Sequence, residues 1–151
     1  MRIIVTAVTS FKFTNAQGIS QHGRFRIRPE EGTEYLSNDQ AAAKGPNFLF
    51  DEIGQRLTRG PVRLSVFVQL ASTGDDVTDA SVPWPENRPE IPFGTINLTA
   101  LVDDREPERR KIIFDPIPRV DGIDTSGDPL SEVRSDIYLL SGRRRRAAGG
   151  K

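Results

Sequence analysis

Residues 121–146 read DGIDTSGDPLSEVRSDIYLLSGRRRR: a turn, a helix entry, and a helix that runs into four arginines. Asp128 followed by Pro129 marks the entry. A carboxylate caps the free N–H groups of a first turn, and proline suits the first helical position because its missing N–H is not needed there. At helical spacing Leu130, Arg134, Tyr138, Ser141 and Arg145 share one face. An ordinary amphipathic helix would place Leu, Ile or Val there. A tyrosine with an arginine one turn before it and another about two turns after it predicts a face that meets something other than hydrocarbon.

Outward from this helix the chain reads mainly as strands. Lys111 to Phe114 is a short β run closed by Asp115-Pro116, and Asp103 to Arg110 is a charged turn. Gly94 to Val102 alternates Ile96 and Leu98 against Asn97 and Thr99. Pro61 to Leu70 is the clearest strand, with Leu64, Val66, Val68 and Leu70 on one face and Arg63, Ser65, Phe67 and Gln69 on the other. Phe11–Thr14 and Gly23–Arg28 form a hairpin about Asn15-Ala16-Gln17-Gly18, with His22 in its turn. Its second strand sets Phe25 and Ile27 against Arg24, Arg26 and Arg28. Ser37 caps a short helix stopped by Gly45-Pro46, and Pro46 opens a second one with Leu49, Phe50, Ile53 and Leu57 on a stripe. Ser72 to Phe93, with four prolines and Trp84, is a long loop. Strands without βαβ alternation exclude a doubly wound parallel sheet. The expected class is α+β, mainly antiparallel β, with a terminal helix.

Composition narrows the chemistry. The 151 residues suffice for one domain. The 21 basic and 21 acidic residues balance, but Arg143 to Arg146 and Lys151 hold five of the cations, which leaves 16 against 21 in the body. A body of that sign has no general basic surface for nucleic acid, so no nucleic-acid partner is expected. The arginine run reads as a solvated helix end favoured by the dipole. The absence of cysteine removes disulfides, thiolate zinc sites and cysteine nucleophiles. One histidine cannot build a His-rich metal site, and no run is long enough for a membrane span. A cytoplasmic location is the default expectation. No phosphate loop or dinucleotide fingerprint is present. Asp75, Asp76 and Asp79 lack the spacing of an EF-hand and read as solvated loop carboxylates.

Arg134 and Tyr138 carry more. Tyrosine ordinarily ionises near pH 10, and an arginine one turn away together with a trivalent cation at its oxygen favours the phenolate. Phenolate is a hard anionic donor suited to Fe(III). Taken alone, Arg-x-x-x-Tyr fits a core tyrosine bonded to a backbone carbonyl better.

The pair does not stand alone. Phe114-Asp115-Pro116, then Gly122-Ile123-Asp124-Thr125-Ser126-Gly127-Asp128, then Arg134-x-x-x-Tyr138 follow in order and spacing. This resembles the haem-proximal segment of the catalases, where F-D-P, G-I-E-P-S-x-D and R-x-x-x-Y occur in that order. Phe11 to Gly18 resembles the family's F-K-x-x-N-A-x-G hairpin. Phe67-Val68-Gln69-Leu70-Ala71 resembles its barrel strand ending in I-Q, and Asp76-Val77-Thr78 with Trp84-Pro85 resembles D-x-T-x-x-W-P. The compact spacing looks closest to the small catalase-related haem peroxidases.

The resemblance implies a partial catalase-like β-barrel over residues 1–146, a disordered tail at 147–151, and haem b as cofactor. It implies Tyr138 as the axial ligand of the haem iron, with Arg134 keeping it a phenolate. Phe114 and Leu130 would pack on the macrocycle, and Arg145 would meet a propionate. Hydrogen peroxide or an organic peroxide would be the substrate. Gly142 stands where large catalases have a histidine, and Leu139-Leu140 replace their Pro-Asp. The distal histidine and asparagine of the family lie upstream of the Phe11 hairpin, and His22 does not match them. No acid–base residue is therefore expected here, the first barrel strands are expected to be missing, and turnover is expected to be impaired. The competing expectation is a non-enzymatic β-rich fragment or interaction module without haem, which binds partners through unpaired strand edges and the Arg143–Arg146 tail; self-association through open sheet edges is a further expectation.

Overall fold

The computed structural model describes residues 5–102, 109 and 111–148. Its elements are β1 (Val5–Thr6), β2 (Phe11–Thr14), β3 (Ser20–Pro29), α1 (Asn38–Ala42), α2 (Phe48–Leu57), β4 (Val62–Leu70), β5 (Glu90–Leu98), β6 (Ile123–Thr125) and α3 (Pro129–Ala148). The strands form an antiparallel sheet in the order β5-β4-β3-β2-β6, with β1 attached to β3. The order begins at β5 and ends at β6, so the sheet is open, as a partial barrel requires.

The chain divides into two compact units, and β3 contributes residues to each. The first comprises residues 1–6, 25–68 and 91–102. Here β1 pairs with β3 at Val5↔Ile27 and Thr6↔Arg26. The Phe25 and Phe93 rings meet edge to face at 5.4 Å, and Arg28 lies over Phe67. Val66 and Val68 are the buried apolar side chains of this unit among the described residues. Ser37 and Gln40 close a capping box at the start of α1. The apolar stripe expected on α2 finds little cover: Phe50 is 76% exposed and Leu49 40%. This helix begins at Phe48, two residues after the proline that was expected to open it.

The described residues of the second unit are 7–24, 69–90, 109 and 111–148. The hairpin forms as expected, with Phe11↔Gly23 through Thr14↔Ser20 in register. It is longer than expected, and His22 stands half-buried in β3 opposite Lys12 rather than in the turn. The turn itself closes on Asn15, whose Oδ1 accepts the N–H groups of Gln17 and Ile19. Strand β6 adds to β2 at Phe13↔Ile123, and the Thr14 N–H donates to the Gly122 carbonyl at 2.8 Å.

Trp84 is the buried apolar side chain here, and the loop after β4 is built around it. Its indole N–H donates to the Asp76 carbonyl. Asp76 and Asp79 accept from Thr78 and Ser81, and Arg88 forks onto Asp75 through two 2.8 Å bonds. Those hydrogen bonds lower the Asp75 carboxyl below its ordinary range, Arg88 first among the causes. Arg24, on the strand face opposite Phe25 and Ile27, is 3% exposed. Its guanidinium stacks 4.1 Å from the Trp84 ring centre and donates to Ser10 Oγ and to the Val82 and Asp79 carbonyls. The long loop covers that face.

Three further expectations change. Strand β5 starts at Glu90, four residues early, because the Leu70 N–H at the end of β4 already meets the Pro89 carbonyl. The run Lys111–Phe114 is not a strand: Lys111 is helical, and Ile112 to Phe114 carry no regular structure. Their contacts go to α3 instead of a ladder. Helix α3 runs to Ala148, so Ala147 and Ala148 are helical and not tail. The charged turn at 103–110 and the end of the tail at 149–151 lie outside the described residues, Arg109 excepted.

Candidate functional site

Helix α3 begins as expected. Asp128 is buried at its entry, and its Oδ1 accepts the Leu130 N–H at 2.9 Å. From there Arg134, Tyr138 and Arg145 follow along one side of the helix, each half-buried. The Arg134 guanidinium lies 5.8 Å from the Tyr138 ring centre, within range of a cation–π contact. Its Nη1 donates to Thr9 Oγ1 at 3.3 Å.

The segment before β6 lies against the far end of the same helix. Arg145 Nη2 donates to the Ile112 carbonyl at 2.6 Å, and its guanidinium stands 5.1 Å from the Phe114 ring centre. Arg145 Nε is buried and has no hydrogen-bond partner among the described residues. A buried donor without an acceptor is costly, so an anionic group at that point would meet an available donor. Phe114 and Leu130 are 58% and 46% exposed, leaving apolar surface on the same side chains that the sequence singled out.

Five residues were missed: Thr9, Ser10, Asp115, Arg119 and Ser135. Thr9 and Ser10 are buried neighbours, one accepting from Arg134 and the other from Arg24. Asp115 Oδ1 accepts from Ser135 Oγ and from the Ile117 N–H, while Arg119 takes Oδ2. These bonds, Arg119 first, lower the Asp115 carboxyl to about 2. An aspartate two residues before an apolar N–H is the signal of a local turn, and Phe114-Asp115-Pro116 carried it. His22 is not brought to this face: it is paired in β3 with Lys12. Asp75, Asp76 and Asp79 bond within their own loop, and among the described residues no group of three metal-ligating side chains assembles.

A catalase family model matches residues 5–149. The chain belongs to the catalase family. A catalase-related peroxidase of Mycolicibacterium paratuberculosis is 35% identical over 132 residues, which cover 87% of this chain and 42% of that relative. One from Synechococcus elongatus is 30% identical over 132 residues, covering 87% and 39%. The chain thus spans less than half the length of these relatives. Solved catalase A from Saccharomyces cerevisiae aligns over 94% of this chain and 31% of its own, with 20% identity and a TM-score of 0.79. That likeness concerns the fold, and it places the open sheet and terminal helix within the catalase architecture. No helix of the described residues is long and apolar enough to cross a membrane.

Proposed function

We propose that this chain supplies the haem-proximal side of a catalase-like site acting on hydrogen peroxide or an organic peroxide. Tyr138 would be the axial ligand to haem b iron, beside Arg134. Arg145 would meet a propionate, and Phe114 and Leu130 would cover the proximal apolar surface. The observation that supports this reading best is the buried, unpartnered Nε of Arg145 on the helix that carries Tyr138. A carboxylate there would complete a planar fork that already spends one N–H on Ile112.

Bound haem supplies the iron centre at which a peroxide is reduced or oxidised. The residues of this chain orient it and tune it. Arg134, held by Thr9, keeps its guanidinium 5.8 Å from the Tyr138 ring centre and would steady that ring beside the iron. Phe114 and Leu130 would exclude water from the ligand side once haem covered them, as an apolar shell around a metal does. None of the described residues on this face is a histidine positioned to carry a proton. Acid–base help is worth roughly 10²–10⁴ in rate, so peroxide turnover by these residues alone is expected to be severely reduced.

The test is reconstitution of the chain with hemin, followed by peroxide decay against free hemin. Stoichiometric binding with slow turnover supports the reading. Absence of binding removes it.

A second reading has its own observation. Strand β5 is an edge of the sheet, and its Ile91, Phe93, Ile96 and Leu98 are exposed. A long apolar edge is a template for another strand. We infer that this edge pairs with a second copy of the chain when haem is absent. A sedimentation coefficient independent of concentration would contradict that.

A further inference from the structure

The segment Ile112–Ile117 has no place in the sheet, yet it is fastened to α3 at three points. At one end Ser135 Oγ donates to Asp115 Oδ1 at 2.9 Å, and the Ile117 N–H shares that oxygen at 3.0 Å. In the middle Gly142 is buried, and a Cβ on it would stand 3.1 Å from Ile113 Cγ1. At the other end Arg145 holds the Ile112 carbonyl. Ser135 and Gly142 are two turns apart on α3, with Tyr138 three residues after one and four before the other. The fastenings therefore bracket Tyr138 along the helix. Phe114 lies between Ile113 and Asp115, so its backbone is held from both sides while its ring faces the Arg145 guanidinium at 5.1 Å.

This inference rests on the reading of the site given above. We propose that Asp115 is a positioning residue: through Ser135 and the Ile117 N–H it seats residues 112–117 on α3 and so sets where Phe114 stands relative to Tyr138 and Arg145. Its third partner, Arg119, is largely exposed and contributes little to the seating. The two kinds of partner separate cleanly by substitution. Asparagine keeps an acceptor oxygen for Ser135 and Ile117 and loses the Arg119 pair, whereas alanine loses all of them.

The test compares Asp115→Ala, Asp115→Asn and Arg119→Ala in the full chain, with hemin and without it. With hemin, Asp115→Ala is expected to weaken binding roughly 10-fold or more, the usual cost of removing a group that orients a metal's own ligands, and to shift the visible absorption. Asp115→Asn and Arg119→Ala are expected to keep the wild-type spectrum and affinity. Without hemin, amide exchange at Ile112–Ile117 is expected to accelerate in Asp115→Ala alone, while the β2–β3 hairpin keeps its protection. Should Asp115→Ala fail to fold, Ser135→Ala removes one donor and carries the same comparison. Wild-type spectrum, affinity and exchange in Asp115→Ala would overturn the proposal, as would equal damage from Asp115→Asn and Asp115→Ala. If the wild type ignores hemin, the reading of the site falls, and the exchange measurement alone decides the seating role.

Discussion

Arg145 stands with its guanidinium 5.1 Å from the centre of the Phe114 ring, while its Nη2 holds the Ile112 carbonyl and its Nε stays buried without a partner. One side chain thus both fastens the segment and keeps a donor available. Arg145→Lys keeps the charge but loses the planar fork and the stacking surface. Hemin affinity, read by absorbance titration, is expected to fall about tenfold, the scale of one charge-assisted hydrogen bond. An unchanged affinity would take Arg145 out of the site.

Arg24 predicts a different kind of loss. It is buried, stacks on Trp84 and donates to two loop carbonyls and Ser10. Arg24→Met strips the donor from the buried Ser10 hydroxyl and from two part-buried loop carbonyls, which is expected to cost about 2–4 kcal/mol in urea unfolding. Trp84 fluorescence should report the opening of the loop before the rest of the transition. A midpoint equal to that of the wild type would mean the loop is held by its own aspartate turns.

Gly122 sits at φ 81°, and a Cβ there would lie 2.8 Å from the Thr14 carbonyl oxygen. The obstacle is backbone, in the same pair of residues whose N–H and carbonyl close the β2–β6 ladder. Gly122→Ala is expected to lose about 1–3 kcal/mol of stability. Slow exchange at the Thr14 amide in that variant would contradict this account.

Asp115 predicts the acid side of the stability profile. Its carboxyl falls from the ordinary 3.8 to about 2, chiefly through Arg119, then Ile117 and Ser135. A depressed folded-state value means the contribution is present above the unfolded value and is lost as pH falls through the folded one. Comparison of wild type and Asp115→Asn by thermal unfolding should therefore show a gap near neutrality that closes between roughly pH 4 and pH 2. A gap of constant size across that window would refute the assignment.

The parts of this fold that are legible in the sequence are those decided locally. Strict alternation located β4 and the β2–β3 hairpin, and the Asp128-Pro129 pair located the entry of α3 to the residue. Alternation assigned Arg24 a face but says nothing of what covers it, and its cover arrives from Asp79 and Val82, more than fifty residues on. Lys111 to Phe114 misled for a related reason. Two isoleucines and a phenylalanine look alike whether they join a sheet or lean on a helix, and the deciding partners, Gly142 and Arg145, lie about thirty residues later. The prolines around β5 concealed its start, since the exposed side of an edge strand tolerates a missing N–H such as that of Pro92. Among the candidate site residues, helical spacing put Leu130, Arg134, Tyr138 and Arg145 on one face, and their proposed roles came from the resemblance to the catalases. The contribution of Asp115 needed the fold.

The central claim is that Tyr138 is the residue that meets haem iron. The visible spectrum of the hemin-reconstituted chain, recorded for wild type and Tyr138→Phe, addresses it most directly. The account predicts a ferric spectrum of a phenolate-ligated haem in the wild type and its loss in Tyr138→Phe, with the apo proteins unfolding at the same midpoint. Identical spectra from the two proteins would contradict it.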